Sequence, residues 1–408
     1  MPSFAYTFKD TTGALRQGSS DAESEAALAR KLQEQGYMVM KIQQVKSARP
    51  KSAGGGFGRV KLTDLSIFCR QFSTMVDAGV SLVRCLNVLS EQTQSAKLRR
   101  VIQDIEQEVQ AGQTLSKAMA KYPNVFSNLF IGLIRAGEVG GALEESLHRL
   151  STFLEKDMEL RRKVKGAMTY PVIVMIVALV IVIGLVTVIL PKFMDLFKEL
   201  GMKDTEMPAM TLMLMNFSHF LTSKWYFMIL ILIVFVTAFR MFVKTKVGRR
   251  SFDWFKLKAP VFGKLNHKIC LARFSRTLGT LLVSGVPILQ AMETVAGTVA
   301  NDVIGDAILE ARTRIREGDR IGDPLQKSKL FPPMVVQMIN IGEESGALDQ
   351  MLGKIADFYE SEVDVALQSL TSAIEPLMIV FLGGAVGFIV VAMFMPMLAV
   401  ITNLTNAG

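Results

Sequence analysis

The residues best placed to do chemistry lie in one short motif that occurs twice, Gly137-Glu138-Val139-Gly140-Gly141-Ala142-Leu143 and Gly342-Glu343-Glu344-Ser345-Gly346-Ala347-Leu348. A carboxylate inside a glycine turn can cap a helix, meet a cationic partner or help to ligate a cation. Beside the positive N-terminal end of the helix that follows the turn, it gains about 0.3–1 kcal/mol, reason enough for Glu138 and Glu343. A partner contact, or cation binding joined by Glu344, is the other reading, and ligation needs convergent carboxylates that spacing alone does not supply. A second group is Arg312, Arg314, Arg316 and Arg320, where the corresponding stretch near Glu106 and Glu108 is acidic. Such a charge run is by default a solvated helix face; the alternative is a docking surface where two related blocks meet different charges.

Other chemistry is missing from the pattern. His148, His219 and His267 are scattered without metal-ligand spacing. Gly54–Arg59 lacks the Lys-Ser/Thr ending of a phosphate loop and follows no strand. No serine–histidine–acid set or paired carboxylates stand out. Cys69, Cys85 and Cys270 are an odd number in a setting read as reducing, so they are expected as small buried residues rather than a disulfide framework. These readings describe a chain that is not an enzyme, with no cofactor and no metal, driven by another protein.

The elements that must position the motif are themselves duplicated. Phe68, Arg70, Gly79, Val80 and Gly112 find Phe274, Arg276, Gly285, Val286 and Gly318 at an offset of 206. After a one-residue deletion, Phe126, Ile134, Gly137, Glu138, Gly141, Leu143, Phe153, Glu155, Pro171 and Pro191 find Phe331, Ile339, Gly342, Glu343, Gly346, Leu348, Phe358, Glu360, Pro376 and Pro396 at 205. A repeat at fixed offset is the mark of a duplicated folded unit. Each copy reads as helical. Leu65, Phe68, Phe72, Met75 and Val76 make one apolar face, and helices follow near Lys97–Gln110, Thr114–Lys121, Asn128–Ala136 and Gly141–Lys165. The last is expected to continue toward an apolar run, with prolines at helix boundaries.

The chain is 50% hydrophobic yet 20% charged, with a mean hydropathy of +0.33, a mixture that suits helical domains plus membrane spans. Val172–Leu190, Trp225–Val243 and Leu377–Ile401 are each long enough to cross a hydrocarbon core of about 30 Å. None carries an ionisable residue near its middle, which argues against a transporter or channel. Basic residues before the first span and after the second (Arg161–Lys165, Lys244–Lys258) place both large blocks in the cytoplasm. The same clusters account for the net charge of +9 through anionic headgroups, so nucleic acid is not an expected partner. Polar Met1–Asp10 does not read as a signal peptide.

The fold class is therefore an all-α membrane protein with a small α+β segment in front. The expected order is an N-terminal α+β segment at 1–46, a flexible linker at 47–60, and a first helical repeat at 61–168. A span at 170–190, an extracytoplasmic loop at 191–224 and a span at 225–243 follow. A second repeat at 244–375, a span at 376–401 and a tail at 402–408 complete it. Within 1–46, Phe4–Phe8 and Tyr37–Ile42 read as strands and Asp21–Gln35 as an amphipathic helix. Pro171 and Pro376 mark span entrances, and Gly383-x-x-x-Gly387 is a small-residue pattern for close helix packing in the membrane.

Two helical repeats with a Phe-x-Arg start, an Ala/Ser-Gly-Val turn and a Gly-Glu-x-x-Gly-x-Leu motif, each leading to a span that begins at proline, resemble the type II secretion system F domain family. The opening Phe4-x-Tyr6, Gly13, Gly18, Gly36-Tyr37 is similar to that family's first segment. The resemblance implies an inner-membrane platform of a type IV pilus machine or, alternatively, of a type II secretion machine driving pseudopilus assembly. It implies a cytoplasmic secretion or assembly ATPase, pilin or pseudopilin subunits, other inner-membrane components and further copies of the chain as partners, besides membrane lipids.

Overall fold

The computed structural model describes residues 3–9, 15–21, 38–45, 60–199, 208–260 and 262–406, in two units, Met1–Arg59 and Val60–Gly408. In the first, β1 (Ser3–Lys9), β2 (Leu15–Asp21) and β3 (Met38–Val45) form an antiparallel sheet in the order β2-β1-β3. Tyr6 lies opposite Gly18 on one side and Ile42 on the other. The edge strand β2 was not expected, because Leu-Arg-Gln-Gly-Ser-Ser-Asp has no apolar alternation; its pairing with β1 supplies what its side chains do not advertise. Asp21 belongs to β2, so the expected Asp21–Gln35 helix does not begin there, and its other residues lie outside the described ones, as does most of the 47–60 linker.

The second unit holds the repeats. The first comprises α1 (Leu62–Asp77), α2 (Leu82–Gln92), α3 (Ala96–Gln110), α4 (Leu115–Ala120), α5 (Asn128–Gly140) and α6 (Leu143–Gly184). A π turn, Leu185–Ile189, carries α6 into α7 (Leu190–Glu199); α8 (Ala209–Ser223), α9 (Trp225–Lys244) and α10 (Lys246–Lys258) follow. The second repeat is α11 (Phe262–Val283), α12 (Ile288–Thr298), α13 (Asp302–Arg316), α14 (Gly322–Lys327), α15 (Pro333–Ser345) and α16 (Leu348–Asn406).

Both repeats fold by the same rules at matched positions. Phe68 and Phe126 pack at 6.5 Å between ring centroids, and their counterparts Phe274 and Phe331 at 4.9 Å. These rings belong to one continuous buried core that runs through both repeats, from Leu65 to Tyr359. The repeats are thus packed against each other, with Gly132 of α5 close to Leu281 of α11.

The last helix of each repeat is also a span. At about 1.5 Å per residue, the 42 residues of α6 extend about 60 Å and the 59 of α16 about 90 Å. With α9 they are the three helices long and apolar enough to cross a membrane among the described residues. Pro171 and Pro376 do not stand at helix boundaries, as their positions suggested, but inside α6 and α16, and Pro396 also lies inside α16. The physical reason lies in the backbone. A proline within a helix frees one carbonyl, whereas ending the helix beside a bilayer would strand up to four groups on each side.

α6 and α16 run side by side below their apolar stretches. Leu160 packs with Val363, Leu367 and Leu370, and Lys163 reaches both Glu159 (3.2 Å) and Asp364 (2.7 Å), the Asp occupying the repeat position of that Glu. Toward the far ends, the stretch expected as a loop contains α8, which packs on the π turn and on α16. Thr211 Oγ1 donates to the Ala392 carbonyl at 2.6 Å and Ser218 Oγ to the Val186 carbonyl at 2.7 Å, both buried.

Candidate functional site

The twin glycine–glutamate turns begin where α5 and α15 end. Gly141 and Gly346 take φ of +68° and +70°, a left-handed C-cap that favours glycine. One turn earlier, Gly137 and Gly342 lie against the next helix. A Cβ on Gly137 would come within 2.5 Å of Ser146 Oγ, and one on Gly342 within 2.8 Å of Leu348 Cα. The motif thus builds a tight helix–turn–helix corner that aims its acid at a fixed neighbour.

That neighbour is not the helix after the turn, where the sequence reading put it, but the short helix before. Glu138 accepts hydrogen bonds from the Leu115 and Ser116 backbone amides and from Ser116 Oγ, at the N-terminus of α4. Glu343 accepts from the Ile321 amide at 2.9 Å, at the N-terminus of α14. The left-handed cap turns α6 and α16 away and leaves the free N–H groups of α4 and α14 within reach. The dipole argument holds with a different helix. The second copy lacks the hydroxyl donor for a steric reason: Gly322 stands where Ser116 stands, and any Cβ there would meet Asn340 Oδ1 at 1.8 Å.

Glu344 does not converge on Glu343. It pairs with Arg320 at 2.7 Å on the surface, both side chains being more than 60% exposed. Among the described residues no group of three or more His, Cys, Asp or Glu is arranged to hold a metal ion. Burial pushes the Cys69 and Cys270 thiols up, Cys270 to about 12, and none of the three cysteines is disulfide-bonded.

The arginines of α13 divide. Arg312 is committed to its own repeat, its Nε donating to the Leu289 carbonyl and its guanidinium pairing with Glu293, both at 2.9 Å. The same contact exists in the first repeat with other chemistry: Asn87 donates to Glu106 at 3.2 Å, at the positions that Glu293 and Arg312 hold. Arg314 pairs only with Glu317 of its own helix end among the described residues (3.2 Å), and Arg316 is exposed. On the other repeat, Glu108 pairs with Lys121 at 2.6 Å. Matched faces of the two repeats therefore present different charges to solvent.

In the spans, Gly383 and Gly387 are exposed, and apart from their chain neighbours and their own helix backbone no atom of the described residues lies within 4 Å of where their Cβ atoms would be. Pro171 is buried and Pro376 exposed. The small-residue pattern is not used within the described chain. Thr211 and Ser218 escaped the sequence reading, although two hydroxyls seven residues apart on an apolar helix are a signal of one polar stripe.

Two packed helical repeats, continuous with two of three membrane-spanning helices and bearing paired helix-capping turns, define a duplicated multi-pass membrane protein. The sequence profile described as type II secretion system (T2SS), protein F matches residues 68–191 and again 274–396, and that of the protein F N-terminal domain matches 1–43. The chain belongs to the type II secretion system protein F family. It is 42% identical to the type IV pilus assembly protein PilC of Thermus thermophilus, over 99% of this chain and 100% of that one. It is 40% identical to the protein of the same name from Myxococcus xanthus, over 96% and 94%. Identity to the type II secretion system protein F of Vibrio cholerae is 34%, over 98% of both.

Proposed function

We infer that this chain is the inner-membrane platform of a type IV pilus assembly machine. The observation that carries the reading is the ordering of full-length similarities: 42% and 40% to type IV pilus assembly proteins against 34% to a type II secretion protein F. A secretion platform is the second reading, favoured by that same 34% match along the whole chain. The basic residues before the apolar stretch of α6 and after that of α9 support an orientation with both repeats in the cytoplasm. There they meet a hexameric assembly ATPase, while the spans meet pilin, and the platform itself performs no bond chemistry.

Contact with the ATPase falls on Arg314, Arg316, Arg320 and Glu344, which are exposed, rather than on Glu138, Glu343 and Arg312, whose polar atoms hold their own repeat together. The open faces of Gly383 and Gly387 suit a second copy or a pilin helix. The test is capture of the cognate assembly ATPase by the full-length chain in detergent, with Arg314→Glu/Arg316→Glu beside it. Binding that the double variant weakens is expected; an ATPase indifferent to the unaltered chain would remove the platform reading. Crosslinking from the spans to pilin or to pseudopilin separates the two machines.

A further inference from the structure

Helix α10 lies outside the two matched segments and has no counterpart among the described residues of the first repeat. Only Thr245 separates it from α9, and the corner is tight. Thr245 Oγ1 donates to the Phe242 carbonyl at 2.7 Å and accepts from the Gly248 amide at 3.1 Å, and a Cβ on Gly248 would meet that carbonyl at 2.0 Å. The Phe252 ring stands edge-on to Phe239 of the span, 5.4 Å between centroids. α10 is therefore folded against the last turns of α9, at the level where the span leaves the hydrocarbon.

Another side of α10 is fastened to the second repeat. Asp253, 3% exposed, accepts from the Asp302 amide at 2.9 Å, capping α13, while Arg249 pairs with Asp302 (2.9 Å) and Arg250 with Asp306 (3.6 Å). What remains is a stripe with no cover: Val247, Trp254 and Lys258 at i, i+7 and i+11, with Phe255 beside it. Val247, Trp254 and Phe255 are 75%, 51% and 59% exposed. Lys258 Nζ sits over the Trp254 ring at 4.5 Å, and Lys244, Lys246 and Lys258 have no carboxylate partner among the described residues. An aromatic stripe flanked by unpaired lysines has the composition of a helix lying in a membrane interface, and this one is continuous with a span.

We propose that α10 is an interfacial helix, with Val247, Trp254 and Phe255 seated at the acyl boundary of the leaflet where α9 ends and the three lysines on anionic phospholipid headgroups. This goes beyond the platform reading and requires only that α9 span the bilayer. It binds the second repeat to the membrane twice, through α10 and through α16.

The chain has two tryptophans, Trp225 and Trp254, so Trp225→Phe leaves Trp254 as sole reporter. The full chain is placed in lipid nanodiscs of phosphatidylcholine and phosphatidylglycerol, with or without acyl chains brominated near the glycerol. The expected result is loss of Trp254 emission in the brominated discs and shielding from aqueous acrylamide. Emission that bromine leaves intact overturns the proposal, whether Trp254 is open to acrylamide or is shielded by a second copy or another protein. If Trp225→Phe does not fold, the difference between the unaltered chain and Trp254→Phe isolates the same signal.

Discussion

Arg276 of α11 holds Glu360 of α16 at 2.9 Å and Asp357 at 2.6 Å, and its repeat counterpart Arg70 of α1 holds Glu155 of α6 at 3.6 Å. One contact has been kept through duplication and strengthened in one copy. Arg276 is 23% exposed, against 53% for Arg70, so its pairs are less screened by water. In double-mutant cycles read by unfolding of the full chain in detergent, the Arg70–Glu155 coupling should be about 0–1 kcal/mol. That of Arg276 with its two acids should be larger. Equal couplings would contradict the burial argument.

The caps should differ in weight as their bond counts do. Glu138→Ala removes the acceptor for two amides and a hydroxyl and should destabilise the chain by about 1–3 kcal/mol. Glu343→Ala removes one amide bond and should cost nearer the low end, about 0.5–1 kcal/mol. Thermal melts of both variants give the order, and a larger loss in Glu343→Ala would refute it.

Gly137→Ala and Gly342→Ala should each cost about 1–3 kcal/mol, because a methyl group is forced into a closed helix corner. Part of the first loss should return with Ser146→Gly, which removes the side-chain atoms that the new Cβ meets. No side-chain truncation should fully rescue the second, where the nearest atom is the Leu348 backbone. Melting of the single and double variants checks both statements.

The α8 hydroxyls seat a helix against two spans. Thr211→Val and Ser218→Ala should each lower resistance to detergent unfolding by about 0.5–2 kcal/mol, the usual range for a hydrogen bond between membrane helices. Unchanged resistance in both variants would mean that apolar contact alone holds α8.

Tyr122 makes one contribution to the pH dependence that can be isolated. Burial, with help from its 2.8 Å hydrogen bond to Asp104, pushes its hydroxyl up to about 12. The raised value stabilises the fold fully below the unfolded tyrosine value of about 10 and loses that contribution as pH rises through 12. Tyrosinate absorbance of the full chain minus that of Tyr122→Phe should show one group titrating late. A difference spectrum centred near 10 would reject the bond to Asp104 and the partial burial of the ring.

Much of this architecture was legible because duplication isolates what a fold needs. Phe68, Arg70, Phe126, Gly137, Glu138, Gly141 and Glu155 all match their counterparts, and each has a definable contact: inclined ring packing, ion pair, close helix approach, cap or left-handed turn. The direction of the Glu138 cap was not legible. Sequence neighbours suggested α6, and only the turn's handedness brings α4, more than twenty residues earlier, to the acid. The prolines misled for a related reason, since a local rule about helix ends gave way to the cost of opening a backbone beside lipid. β2 and α8 were missed because their partners, not their own patterns, hold them in place.

The unbroken course of α6 and α16 has a mechanical meaning. No loop separates either repeat from its span, so each helix continues from a shared core straight into its span, with Pro171 and Pro376 where it can bend. A tilt of about 5° applied to the repeat pair would swing the far end of a ~30 Å span sideways by about 3 Å. Lever and load are then one piece of backbone, and a tilt of the repeats reaches the spans except for what the helices give at Pro171 and Pro376.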